Sequence, residues 1–100
     1  MNNGSEQVQV DFHNKAKDVF FSVYKAFENA VSNLDRKKQE YKFQETKKQY
    51  VTTLENELQA IAKMVLSRYE NKKQPGKTDP LLHQFIKDYL HRFVQKINTL

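Results

Sequence analysis

One hundred residues make a single compact domain, and 38% hydrophobic against 29% charged is thin material for a self-contained core. Leu, Ile, Val and Phe still contribute 26 residues, above the roughly 20% below which highly charged chains stay unfolded. Two Gly and two Pro leave too few turn residues for a sandwich or barrel, and the absence of Cys excludes disulfides, Fe–S clusters, thiolate zinc sites and cysteine nucleophiles. Few turns and abundant Lys, Glu and Gln imply long helices.

The N-terminal residues Met1 to Gln7 form neither a basic n-region nor an apolar run, and no stretch is long and apolar enough to span a membrane. An intracellular, cytoplasmic location without a membrane span is the expectation. The Asn3-Gly4-Ser5 sequon is read as accidental on the same ground.

From Val8 the chain places Phe12, Ala16, Val19, Phe20, Val23 and Phe27 at three-and-four spacing, which predicts a first helix over about 8–33 behind a disordered tip, 1–7. Ser5 or Asp11 is the expected cap. From Asp35 to Gln49 the apolar pattern thins to Tyr41 and Phe43, while six basic residues face three acidic ones. Helical spacing resumes with Val51, Leu54, Leu58, Ile61, Val65 and Leu66, predicting a second helix over about 36–73 that ends before Pro75-Gly76.

These two stripes are out of step. Phe27, Leu34 and Tyr41 are seven apart, as are Val51, Leu58 and Val65, but Tyr41 to Val51 is ten. Such a slip marks either a turn or an overwound continuous helix. Ser32-x-x-Asp35 and Thr46-x-x-Gln49 resemble capping boxes, and a turn near 32–35 is favoured over one bent helix joining the first two. The last helix, about 79–98, opens with Asp79 as cap and Pro80 at its first position. Its apolar face, including Leu82, Phe85, Ile86, Tyr89, Phe93 and Val94, is broad enough for two neighbours, in its own chain or in a second one. The expected fold is all-α, an antiparallel three-helix arrangement with a loop over about 72–78.

Motifs for chemistry are weak. Pro75-Gly76-Lys77-Thr78 ends like a phosphate-binding loop, but Asn71 stands where the first glycine belongs and a helix precedes it. Asp88 and His91, three apart, are too few ligands for a metal ion, and neither His13 nor His83 has a Glu three residues before it. Ser22, Ser32 and Ser67 have no spacing that gathers them with His and Asp, and Glu55 and Glu57 point to different sides of a helix. No enzyme, metal or cofactor is expected.

Charge and aromatic patterning carry more. Lys37, Lys38, Lys42, Lys47, Lys48, Lys72 and Lys73 could contact a phosphate backbone, with Tyr41 or Phe43 as stacking faces; the bland alternative is a solvated helix surface. A membrane-surface role is disfavoured because the basic stretch has almost no apolar face. Phe21 and Tyr24 fall off the first stripe and widen it, either as broad core packing or as a partner-facing edge. The preferred expectation is a non-catalytic interaction module, a homodimer or a partner of another helical protein. Its own core would hold Phe12, Phe20, Phe27, Phe85 and Phe93, leaving Phe21, Tyr24, Val51, Leu58 and Val65 for a second chain.

Overall fold

A computed structural model describes residues 4–35, 37–69 and 79–99, and shows three helices: α1, Gly4–Val31; α2, Glu40–Tyr69; and α3, Asp79–Ile97. The loop expected at 72–78, with its Pro75-Gly76-Lys77-Thr78 motif, lies outside the described residues. α1 begins several residues ahead of Val8, so Asp11 is no cap; it sits well inside the helix, accepting a hydrogen bond from Gln7 Nε2 at 3.0 Å. None of the three helices is long and apolar enough to cross a membrane.

The α1–α2 break covers residues 32–39 without glycine or proline, and side chains substitute for them. Ser32 Oγ donates to the Asn29 carbonyl at 2.9 Å, taking up one of the carbonyls that a helix end leaves without a partner. Asp35 then starts the return: its Oδ1 accepts from the Lys37 N–H at 3.1 Å, its carbonyl accepts from Lys38 and Gln39, and its own N–H donates to Gln39 Oε1 at 3.0 Å. The exchange resembles a capping box in which the returning side chain stands four residues on and the Asp35 carboxylate accepts from two residues on, where the usual box has three for both. The single bent helix is thereby excluded, and α2 starts at Glu40 rather than 36. Thr46 is not a cap either, because its hydroxyl donates to the Lys42 carbonyl inside α2.

Ring contacts set the helix directions. Phe12 meets Phe85 and Tyr89, while Phe20, Tyr24 and Phe27 meet Phe93, so α1 and α3 run the same way. Phe27, near the end of α1, meets Phe43 and Tyr50, near the start of α2, which is therefore antiparallel to α1. Lys47 Nζ reaches Asn98 Oδ1 at 3.0 Å, which makes α2 antiparallel to α3 as well. The bundle is 56 Å long and 18 Å across, too slim to enclose a deep pocket. Any site must lie in a surface groove.

Val8, Phe12, Ala16 and Phe27 of α1, Leu54, Leu58 and Val65 of α2, and Leu82, Phe93 and Ile97 of α3 are nearly or fully inaccessible. Phe43, off the stripe in sequence, joins them edge-on to Phe27, with ring centroids 5.6 Å apart. The reason is phase: the turn resets the helical register, so Phe43 takes the inward position while Tyr41, continuing the earlier heptad, is 73% exposed.

Candidate functional site

Leu58 and Val65, expected to face a second chain, are wholly buried in this chain's own core. α2 must satisfy α1 and α3 at once, which consumes the inner stripe. Tyr24 is half-buried: its ring packs edge-on against Phe93 at 6.4 Å, and Lys96 Nζ lies 4.8 Å from its centroid. Phe21 alone of that pair points outward, 63% exposed, with Lys25 Nζ 5.7 Å from the ring and Lys25 paired to Glu28 at 3.6 Å. Val10, 51% exposed, is eleven residues earlier and so only about 20° away around α1 at 100° per residue.

The lysines do not form one track. Lys37, Lys38, Lys42 and Lys48 are exposed and Lys47 is half-buried, but Lys42, Lys47 and Lys48 lie about 100 to 140° apart around α2. Phe43 is buried and offers no stacking face; Tyr41 does, its hydroxyl donating to Glu45 at 2.9 Å. That hydrogen bond, followed by the carboxylate's charge, raises the Tyr41 pKa above the ordinary phenol value. Lys72 and Lys73 fall outside the described residues.

Two hollows open on the seam between α2 and α3. The larger, about 460 Å³, has half-buried Val51 and Val94 as its floor and Tyr41, Lys47, Lys48 and Thr52 around them. The second, about 220 Å³, is framed by Gln59, Lys63 and Leu66 of α2 and by Leu82, His83 and Ile86 of α3. Val51 was expected at an interface, and it lines the larger hollow. Leu66 and Val94 are apolar-stripe residues in the sequence but not expected site residues, and Gln59 carries no sequence signal; for Val94 the signal is the breadth of the last helix's apolar face.

A third hollow, about 240 Å³, joins His13 to Phe85, Asp88, Tyr89 and Arg92. His13 Nδ1 and the Tyr89 hydroxyl are 2.8 Å apart, and the imidazole centroid is 4.4 Å from that of Phe85. With a neutral ring protonated at Nε2, the hydroxyl donates and Nδ1 accepts. Burial lowers the His13 pKa below the ordinary 6.5, helped by the positive charges of Lys17 and Arg92; burial also raises that of Tyr89. Asp88 faces the same hollow and accepts from Gln84 Nε2 at 3.2 Å. The unfolded chain therefore binds a proton more readily than the folded one between the lowered pKa and 6.5, so this seam's contribution is complete above 6.5 and falls as pH drops through that window. Thermal unfolding of wild type should lose stability between pH 7.5 and 5.5 more steeply than that of His13→Phe; equal slopes would refute the linkage.

Among the described residues no three His, Cys, Asp or Glu side chains are grouped so as to hold a metal ion. The chain matches no protein-family model, no curated protein and no solved structure.

Proposed function

We propose that the chain is a non-catalytic helical interaction module that associates with a second copy through the outer face of α1. The observation that carries this reading is Phe21, a large ring left 63% exposed although the chain's own core is closed around Phe12, Phe27 and Phe93. Aromatic rings on an otherwise polar surface are effective anchors, because burying one removes on the order of 150 to 250 Å² from water. Charge permits a twofold contact there, since α1 carries four acidic and three basic residues (Glu6, Asp11, Asp18, Glu28; Lys15, Lys17, Lys25) and like faces repel little.

Binding to a phosphate backbone is the less supported reading: Tyr41 offers a ring beside Lys48, but Lys42, Lys47 and Lys48 point in directions about 100 to 140° apart around α2, and Phe43 is buried. Light scattering after size-exclusion chromatography tests the preferred one. Wild type should show twice the 11.9 kDa chain mass, and Phe21→Ser should show the single mass with unchanged helicity and a stability within about 0.5 kcal/mol. A wild-type monomer across the accessible concentrations, or a dimer indifferent to Phe21→Ser, rejects it. Tyr24 is left intact in this test because its loss would disturb the packing of Phe93.

A further inference from the structure

The hollows at the two ends of the α2–α3 seam lie on one side of the bundle. Among the α2 residues that line them, Tyr41, Lys48, Thr52, Gln59, Lys63 and Leu66 recur at spacings of seven, four, seven, four and three, within an arc of about 60°, and Val51 and Lys47 lie further round the helix toward α3 and its end. On α3, His83 and Val94 are eleven apart and so about 20° from one another. The midpoints of the two hollows are about 15 residues of α2 apart, or roughly 23 Å along the axis, a distance that four turns of another helix would span.

The seam's charge selects the occupant. Lys47 and Lys48 flank the larger hollow and Lys63 the smaller, against a single lining carboxylate, Glu45, whose oxygen already accepts the Tyr41 hydroxyl. Among the described residues neither Lys48 nor Lys63 is ion-paired. The floor is apolar at both ends, with Val51 and Val94 at one and Leu82 and Ile86 at the other; between the hollows Glu55 lies on the same side of α2, its carboxylate accepting from Gln59 Nε2 at 3.4 Å. An apolar floor with cationic rims suits a helix that has apolar anchors on one face and carboxylates along its edges. This chain's own helices do not meet that description: its net charge is +5, and even α1 carries only one more acidic than basic residue.

We propose that the α2–α3 groove receives an acidic amphipathic helix of a different protein, which rests on the reading of the chain as an interaction module. The partner would set apolar residues into both hollows and carboxylates beside Lys48 and Lys63. The groove lies apart from Phe21, so self-association through α1 and capture of the acidic helix can occur together.

The test is a titration of the full isotope-labelled chain, followed by amide resonances, with two synthetic helices of about 20 residues. Both carry the same leucine stripe; one has Glu along its edges and the other Lys. The Glu peptide should shift Val51, Thr52, Gln59 and Val94 and leave Phe21 unmoved, the Lys peptide should not bind, and Lys48→Glu with Lys63→Glu should weaken binding at least about tenfold. Both substitutions are at exposed positions, and retained spectral dispersion will show that the variant is folded. Equal binding of the two peptides, shifts centred on the α1 face, or no binding of the Glu peptide would overturn the proposal. So would groove resonances that move with protein concentration alone, which would mean a second copy covers the seam, or a single-stranded oligonucleotide that binds there when the Glu peptide does not. A silent groove in a chain that still dimerises through Phe21 removes this proposal alone; a silent groove in a monomer removes the interaction-module reading with it.

Discussion

Phe93→Ala is expected to cost about 3 to 5 kcal/mol, the range for removing a large ring from a closed core. Phe93 is fully buried, and its ring meets Phe20, Tyr24 and Phe27 with centroids 5.8, 6.4 and 6.3 Å away. One residue of α3 thus touches two turns of α1, and these rings fill the space between the two parallel helices. α3 has 19 residues, and the stability of a helix within a protein comes mostly from packing its apolar face, so its order depends on docking. Against a total stability of roughly 5 to 15 kcal/mol, the variant should unfold at much lower temperature and lose helical signal early. Thermal unfolding followed by circular dichroism checks it, with Phe21→Ser as the surface control. A Phe93→Ala loss below about 1 kcal/mol would mean that α3 does not pack on α1 through this ring.

Leu58→Ala should cost about 2 to 5 kcal/mol, and the loss should be independent of protein concentration. The side chain is completely inaccessible near the middle of α2, so truncation leaves a cavity inside a single chain. If Leu58 instead faced a second copy, as the heptad Val51, Leu58, Val65 suggested, the penalty would be an association penalty and would change with dilution. Urea unfolding of the variant and wild type at two widely separated concentrations distinguishes these outcomes. A concentration-dependent difference would return Leu58 to an interface.

Phe21 and Leu58 show why periodicity located the helices better than the surfaces. A stripe at three-and-four spacing reports that a helix has an apolar side; it does not report how many neighbours share that side. Leu58 and Val65 belong to a stripe that α1 and α3 exhaust between them, whereas Phe21, one position away from the stripe residue Phe20, is rotated out by about 100°. The pairing of Phe21 with Tyr24 had a similar limit. Three residues apart, they lie on neighbouring sides of α1, but only Tyr24 meets α3, and so only Phe21 is free to face outward.

The lysines and the turn were legible to different degrees. The out-of-step heptads allowed either a turn or one bent helix between the first two segments; the turn, and its extent over 32–39, depend on hydrogen bonds from Asp35, Gln39 and Ser32 that propensity does not register. That extent then set the register of α2, turning Phe43 inward and Tyr41 outward. Pooling Lys37 to Lys48 as one basic site overlooked that consecutive residues of a helix point in different directions.

Composition and periodicity by themselves determined an all-helical chain of three segments with a slender core, because turn-poor composition and a repeat near 3.6 residues are local properties carried by each segment alone. Which apolar residues remain uncovered, that α1 and α3 run parallel with rings between them, that His13 meets Tyr89, and that the α2–α3 seam is left open between lysines were decided only by the tertiary structure. Each depends on the relative rotation of helices far apart in sequence, and that rotation is set by how side chains of all three pack together.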